Sequence, residues 1–467
     1  MRRCVLCLAA LIVGFAATAQ AEPRLIALVS IPSGTSDLSQ KTAAPLENGN
    51  AGNMFGGIGS GLSYLGAGRF VALPDRGPNA KTYNAAVDHT TSYVPRFQTI
   101  DMVLTPSAPG VPLPFTVTPK LVATTLLSSR TPLIYGSGAP AGLGNGAPAI
   151  NTAGTWYFSG RSDNFDPAKP SSDPANGRLD PEGVRVGSDG ALYISDEYGP
   201  VLYRFNSLSG ERMWDYDLPA NLAVAQPAAV GLDEDAANRF GRTGNKGMEG
   251  LAVTPDGATL VGIMQAPLRQ DARPDGVDAG VVRIVTIDIV SGKTHEYAYA
   301  LDNIAKSGKI KYGGVNEILA INNHEFLVDE RDGKGLGDPD NLEAKFKHVY
   351  RIDLTDAIPI DDLAGEAALL PKVVAKTLVL DLVDLAGRAG LAPTQIPAKI
   401  EGMTFGPDIA LDGQTVHTLW ISGDNDFTDD PNMIFVVALA DADLPGYVAA
   451  KPSYEVAPPH INCATCK

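Results

Sequence analysis

Short apolar segments alternate with turn residues along almost the whole chain. In the middle of the sequence, segments 182–186, 192–195, 201–205 and 212–216 are rich in apolar residues, and Gly, Pro, Asn or Asp residues separate most of them. Segments of this length and spacing are typical of β-strands joined by tight turns. The following stretch repeats the pattern, so the sequence predicts antiparallel units of four strands each. Helical patterns are scarce, and only 361–370 and 380–389 are candidates.

A phrase built around Glu-Gly, or Glu-Ile in the third copy, opens four of these units. Its glutamates are 67, 68 and 84 residues apart, and a weaker first copy near Gly61 lacks the acid. A repeat of this length, with four strands in each copy, is the sequence signature of a β-propeller blade. The four acids are Glu182, Glu249, Glu317 and Glu401.

The fold prediction is therefore an all-β propeller with four-stranded antiparallel blades. Six blades are expected, and five or seven remain open, because segment 126–180 reads either as a degenerate blade or as an inserted loop. The last repeat lacks a fourth strand, and the apolar segment 25–29 offers one. We expect this N-terminal strand to complete the final blade and to leave no open sheet edge.

Both ends of the chain carry their own signals. Residues 1–21 have two arginines, an apolar core and a small-residue cleavage site, as a signal peptide does, so the protein is expected to be exported to the periplasm or the medium. Residues 22–445 form the predicted domain, and 446–467 form a tail. The tail holds Cys463 and Cys466, for which a local disulfide is expected ahead of a redox or metal role. No later segment reaches the length of a membrane span.

The chain has 467 residues and a formal net charge of −16. This charge argues against nucleic acid and anionic membranes as partners and is compatible with cations. The alternative interpretation is that this acidity only keeps the protein soluble. We expect a monomer that acts on a small molecule. Neither a GxSxG nucleophile elbow nor a GxxxxGK[ST] phosphate loop occurs in the sequence.

Candidate chemistry follows from the propeller geometry. The innermost strands line a central channel, so the repeated glutamates and the charged ends of the second strands are expected at one channel mouth. Oxygen ligands in such a ring suit Ca²⁺. The alternative for each acid is a structural role as a strand cap, and for each arginine a salt bridge between blades. The proposed metal ligands are Glu182, Glu249, Glu317, Glu401, Asp424 and Asn425. The proposed catalytic residues are Asp75, Arg76, Asp196, Glu197, Glu330 and Arg331.

Several of these phrases together resemble the esterase-like-activity-of-phytase family, also called the phytase-like domain. The resemblance covers about residues 55 to 440 and implies an exported β-propeller that hydrolyses phosphate or carboxylic esters. The phrases that carry it are Pro74-Asp75-Arg76-Gly77-Pro78-Asn79, Leu179-Asp180-Pro181-Glu182-Gly183, Ile194-Ser195-Asp196-Glu197-Tyr198-Gly199-Pro200, Asn245-Lys246-Gly247-Met248-Glu249-Gly250 and Lys399-Ile400-Glu401-Gly402-Met403.

Three functions remain open on the sequence. The first is a Ca²⁺-dependent phosphoesterase, in which the cation neutralises phosphate charge and Arg76 and Arg331 clamp the non-reacting oxygens. The second is a lactonase or carboxyl-ester hydrolase. The third is a binding propeller of the cell envelope without catalysis.

Overall fold

A computed structural model describes residues 22–136, 142–163, 165–273 and 279–451. Five antiparallel sheets with four main strands each dominate it. We number them blades 1 to 5 and name their strands a to d, from the channel outward. Blade 1 contains Gly61–Gly66, Arg69–Leu73, Arg96–Asp101 and Lys120–Leu126; blade 2 Pro181–Val186, Ala191–Asp196, Val201–Asn206 and Arg212–Tyr216; blade 3 Met248–Val253, Thr259–Met264, Val281–Asp288 and Thr294–Ala300; blade 4 Gly314–Ala320, Glu325–Arg331, Lys347–Asp353 and Lys376–Asp381; blade 5 Lys399–Phe405, Gln414–Asp424, Asn432–Leu439 and Arg24–Ile31.

The five a strands surround a central channel, and each contacts the a strand of both neighbouring blades. Glycines of the repeated phrase allow this close approach. A Cβ atom on Gly250 would lie 2.6 Å from the backbone nitrogen of Ile318 in the next blade. The Gly in Glu-Gly is therefore a packing requirement of the ring, because any side chain there would collide with a neighbouring backbone.

The N-terminal strand closes the ring as predicted. Strand Arg24–Ile31 pairs with Asn432–Leu439 in antiparallel register, with Leu25 opposite Val437 and Val29 opposite Ile434. The first and last parts of the chain thus share one sheet, so no blade is left with a missing outer strand.

The number of blades is five, one of the counts that the sequence left open. The described part of segment 126–180 adds only a two-stranded sheet, Ser128–Ser129 with Trp156–Tyr157. Its apolar residues Leu133 and Phe158 pack into the core between blades 1 and 2. Only one strand-like segment interrupts this Gly- and Pro-rich stretch, which is too little to build a four-stranded sheet.

The remaining elements are short. Strands Leu104–Pro106 and Phe115–Val117 form a hairpin beside blade 1, and Ile409–Leu411 extends blade 5. The α-helices are Gly231–Ala237, Glu366–Leu369 and Leu382–Arg388, and the 3₁₀ helices are Gln40–Thr42, Ala85–Val87, Arg269–Asp271, Leu370–Lys372 and Pro393–Gln395.

Both sequence-predicted helices occur, although each is shorter than its pattern. The Asp381 side chain caps the second of them by accepting from the backbone nitrogens of Val383 and Asp384. In the described residues no helix has the length and apolarity needed to cross a membrane. The proposed signal peptide and the Cys463–Cys466 pair lie outside the described residues.

The core lies between adjacent blades. Phe70 of blade 1 packs on Trp420 of blade 5 with ring centroids 4.5 Å apart, and both side chains are fully buried. Apolar residues on both faces of the inner strands explain why these strands read as nearly continuous apolar runs. A charged residue in such a strand is therefore exceptional unless it faces the channel or a partner.

Candidate active site at one mouth of the channel

A cavity of about 430 Å³ opens at one mouth of the channel. We call it the mouth cavity. In an antiparallel sheet the start of strand a and the end of strand b meet at the same edge, and the register shows this directly. Pro181 pairs with Asp196 in blade 2, and Lys399 pairs with Asp424 in blade 5. The two sets of charged residues that the sequence singled out therefore converge on one site.

Eight of the twelve predicted site residues line the mouth cavity. They come from all five blades. They are Asp75, Arg76, Glu182, Glu197, Glu249, Arg331, Glu401 and Asp424.

Three of the other four residues are chain neighbours of a cavity residue but do not line the cavity. Glu330 accepts hydrogen bonds from the Tyr299 hydroxyl and the Lys376 ammonium, and Asp196 accepts from three backbone nitrogens near its own turn. Asn425 accepts from the backbone nitrogen of Gly57 at 2.8 Å. Alternate residues of a strand point to opposite faces, so Arg331 reaches the channel mouth while Glu330 does not. Asp75 and Arg76 lie beyond the end of their strand, and both line the cavity.

Glu317 occupies the channel interior instead of the mouth. Its carboxylate is 2.8 Å from the Arg185 guanidinium and accepts from the backbone nitrogens of Leu251 and Ile318 at 3.0 and 2.9 Å. Arg185 in turn donates to Leu62 and Ile318, so the pair joins blades 1, 2 and 4 across the channel. Strand a carries the same register shift in blades 3 and 4, at Glu249 and at the residue before Glu317, so Glu317 takes the place of Gly250 and the preceding residue takes the mouth position.

That preceding residue is Asn316, which is not among the predicted site residues. Its side-chain nitrogen donates to Glu249 Oε1 at 2.9 Å, and Gln265 donates to the same oxygen at 2.6 Å. Glu249 Oε2 and Asn316 Oδ1 are buried and have no hydrogen-bond donor in the described structure. Two acceptors left in this state carry a substantial desolvation cost.

The carboxylates of the mouth cavity repel one another strongly. Burial raises the pKa of Glu182 well above its usual value, and the negative charges of Glu249 and Asp180 add to the effect. Burial and then the charge of Glu197 do the same for the pKa of Glu249. Carboxylate oxygens of Asp180, Glu182 and Glu197 lie within 4.8 Å of one another. Such a group is stable only when it is protonated or compensated by positive charge.

Two arginines supply part of that charge. Arg76 Nη1 lies 2.6 Å from Asp180 Oδ2, and Arg331 Nη2 lies 2.7 Å from Glu401 Oε1. The Nε–H group of each arginine is buried and has no acceptor in the part of the chain that the structure describes. Each guanidinium thus keeps hydrogen-bonding capacity beyond its structural salt bridge.

The structure adds site residues that the prediction missed, most of them in the wall of the mouth cavity, whereas Asp180 contacts the cavity residue Arg76 from behind. Asp180 lies in a quoted family phrase, two residues before Glu182, and Asn316 lies beside Glu317, so both had a local signal. The lysines come from loops or strand starts without any pattern that separates them from ordinary surface lysines. The additional lining residues include Asn245, Lys246, Gln265, Lys311, Asn316, Lys334 and Lys399.

The side-chain oxygens of Glu182, Glu249 and Asn316, in blades 2, 3 and 4, suit a hard divalent cation as ligands. Glu182 receives no hydrogen bond from the residues described, and Glu249 Oε2 and Asn316 Oδ1 lack donors. Carboxylate and amide oxygens are the ligands that Ca²⁺ prefers, and it tolerates irregular geometry. These three side chains could therefore hold such an ion at the mouth cavity.

A family model described as "Phytase-like: Esterase-like activity of phytase" matches residues 53–427. The chain belongs to this family. A curated relative, an uncharacterized secreted protein from Arthroderma benhamiae, is 28% identical over 189 residues, which are 36% of this chain and 37% of the relative. The chain thus matches little more than a third of that relative's length.

Solved structures with a similar course of the chain share little sequence with it. A virginiamycin B lyase from Staphylococcus aureus is 12% identical, with 88% of this chain and 99% of the lyase covered and a TM-score of 0.28. A gluconolactonase from Xanthomonas campestris is 13% identical, with 87% and 97% covered and a TM-score of 0.27.

Proposed function

We propose that the protein is an exported ester hydrolase in which a divalent cation, Ca²⁺ in the first instance, assists the hydrolysis of phosphate esters at the mouth cavity. The observation that carries this proposal is the pair of buried acceptors without donors, Glu249 Oε2 and Asn316 Oδ1, beside the unbonded carboxylate of Glu182. The esterase-like description of the family and the secreted relative support hydrolysis and export.

The cations of the mouth cavity favour a phosphate over an uncharged ester. Arg76 and Arg331 each keep a free Nε–H, and guanidinium groups match the oxygens of phosphate in paired hydrogen bonds. Lys246, Lys311 and Lys334 also line the cavity. A neutral lactone would use little of this positive charge.

Each group has a separate task in this scheme. Glu182, Glu249 and Asn316 would hold the cation, which supplies charge neutralisation and polarisation of the phosphorus centre when bound. Arg76 and Arg331 orient the substrate by binding its non-reacting oxygens. Burial and the neighbouring Asp180 raise the pKa of Asp75 to about 7, so this carboxyl group can exchange a proton with substrate or water near neutral pH.

The decisive experiment combines metal content, turnover and stability. We expect the purified protein to retain Ca²⁺ after dialysis and to hydrolyse 4-nitrophenyl phosphate only when EDTA is absent. Glu249→Gln should lower kcat/KM by about 100-fold or more and should abolish the rise in Tm that Ca²⁺ produces. In EDTA the variant should be at least as stable as wild type, because the neutral amide replaces a carboxylate that repels its neighbours.

Glu343→Gln is the matched control, since Glu343 is an exposed acid outside the mouth cavity. It should behave like wild type in all three measurements. A wild-type protein without bound metal and without EDTA-sensitive turnover would overturn the proposal.

A lactonase or carboxyl-ester hydrolase is the second candidate. The neutral amides of Asn245, Gln265 and Asn316 line the same cavity and could bind an uncharged carbonyl group. Lactones and aryl acetates tested beside phosphate esters decide between the two. Absence of turnover with every ester class, with metal still bound, would favour the binding propeller instead.

A further inference from the structure

A second group of carboxylates lies at the blade 5 side of the mouth cavity. Oxygens of Asp75, Asp424 and Asp426 lie within 4.8 Å of one another. Asp75 and Asp424 are 6% and 5% exposed, so water does little to screen their repulsion. This group is separate from the Glu182, Glu249 and Asn316 set and belongs to the ends of strand b in blades 1 and 5.

A lysine stands inside this second group. Lys399 opens strand a of blade 5 and lies directly opposite Asp424 in the register of the sheet. Its Nζ atom makes a salt bridge with Asp426 and lies 3.9 Å from Asp424 Oδ2. Cross-strand neighbours approach within side-chain reach, so the backbone itself brings the ammonium group to Asp424 and Asp426, and its charge also acts on Asp75.

The ammonium group compensates the carboxylates only in part. The side chain of Asp424 is only 1% exposed, so water reaches it poorly. Its Oδ2 atom receives no hydrogen bond from the described residues. Lys399 is the one cation that makes a salt bridge with this group in the described residues, and Arg76 adds a favourable charge at Asp75. Burial, together with the charge of Asp426, raises the pKa of Asp424 well above its usual value, which agrees with incomplete compensation.

We propose that the ammonium group of Lys399 takes the position of a second divalent cation, so that Asp75, Asp424 and Asp426 form an oxygen-only cation site when this side chain is removed. The native protein then carries one exchangeable ion, at Glu182, Glu249 and Asn316, and one built-in cation. The inference uses the proposed function only for the identity of the first ion. A tethered ammonium keeps positive charge in the cavity at any concentration of free metal.

The test is a count of bound metal in Lys399→Ala and in wild type. Both proteins are dialysed against CaCl₂, desalted and analysed for calcium per chain, and Ca²⁺ is titrated by calorimetry into the metal-free forms. We expect Lys399→Ala to bind one ion more than wild type. Its Tm in EDTA should fall below that of wild type, and Ca²⁺ should restore more of the Tm than it adds to wild type.

Three further variants keep the result specific. Lys399→Ala/Asp424→Asn should lose the additional ion, and Lys399→Arg, which keeps the charge, should not gain it. Lys347→Ala removes another buried lysine, one that makes a salt bridge with Asp332 and donates to two carbonyl oxygens, and should gain no ion. If Lys399→Ala does not fold in EDTA, refolding in CaCl₂ should recover it.

Equal metal content in Lys399→Ala and wild type would overturn the inference, as would failure of Ca²⁺ to stabilise or refold the variant. Metal absent from wild type but gained by Lys399→Ala would leave the inference standing and count against the proposed function. The two proposals therefore fail in different ways.

Discussion

At the scale of the residue, one step along a strand separates a cavity residue from a structural one. Glu197 lines the mouth cavity, whereas the preceding Asp196 bonds the backbone of its own turn. Arg331 lines it, whereas Glu330 is buried among Tyr299 and Lys376. The sequence placed each charged pair at the correct end of strand b. It could not decide between the members, since that choice depends on the face of the strand that meets the channel.

Lys347 provides a test of buried charge outside the mouth cavity. Its Nζ atom donates to Asp332 Oδ1 and to the carbonyl oxygens of Asp332 and Ala398, so it joins blades 4 and 5. Burial lowers the pKa of Lys347 from 10.5 to about 8. Between these two values the unfolded chain binds a proton that the native protein lacks, so the free energy of unfolding rises with pH across this window.

We expect the difference in unfolding free energy between wild type and Lys347→Met to grow by up to about 1.4 kcal/mol per pH unit from pH 8 towards pH 10. Urea unfolding at several pH values measures it. Parallel pH curves for the two proteins would show that Lys347 is not neutralised in this window. The variant should be the less stable at every pH, because it leaves three acceptors without their donor.

At the scale of the element, the outermost strand of blade 5 decides whether the ring is closed. Strand Arg24–Ile31 is separated from its partner Asn432–Leu439 by nearly the whole chain, yet the two form an antiparallel ladder with one register shift, between Leu25 and Ala27. The prediction of this pairing rested on a count of strands. The last repeat lacked its fourth strand, and one apolar segment, 25–29, belonged to none of the repeats. The structure confirms this pairing. Its physical reason is that an unpaired edge would expose backbone groups and the apolar side chain of Val29, which is buried here.

Val29→Asp should lower the free energy of unfolding by about 3 kcal/mol or more, because it buries a charge without a partner in the core between blades 5 and 1. Ser30→Asp, at an exposed position of the same strand, should change it by less than about 0.5 kcal/mol. Denaturant unfolding of both variants measures the contrast. Similar losses at the two positions would mean that the strand contributes little to closure.

At the scale of the whole molecule, the inner strands of the five blades approach one another so closely that only glycine fits at their points of contact. A Cβ atom on Gly183 would lie 2.7 Å from the Cβ atom of Leu251, and one on Gly402 would lie 2.9 Å from the backbone nitrogen of Leu62. The Arg185–Glu317 pair spans the interior of the same channel. A narrow channel brings acids from different blades together at one mouth and explains their mutual repulsion.

Gly250→Ala should therefore destabilise the protein by about 2–3 kcal/mol, because the added methyl group meets backbone atoms of blade 4 that cannot move independently. Gly387→Ala is the control, since Gly387 lies in helix Leu382–Arg388 with open space around it. That change should stabilise the helix by about 0.5–1 kcal/mol. Thermal unfolding of the two variants should shift Tm in opposite directions, and a neutral Gly250→Ala would contradict the tight ring.

The repeating unit, its four strands, the closing N-terminal strand and the edge at which charged residues gather were all determined by the sequence alone. These features depend on local periodicity and on spacing along the chain, which are written in the order of residues. The blade number required the structure, because a Gly- and Pro-rich insert resembles a weak blade until its lack of strands is seen.

The membership of the site also required the tertiary structure. The register of strand a makes Asn316, and not Glu317, the counterpart of Glu249, and the charge of Lys399 acts on Asp75 only because blade 5 closes against blade 1. Strand register and ring closure set distances between residues that are hundreds of positions apart. No local pattern encodes those distances, so only the folded ring decides which acids share a cation and which support the blades.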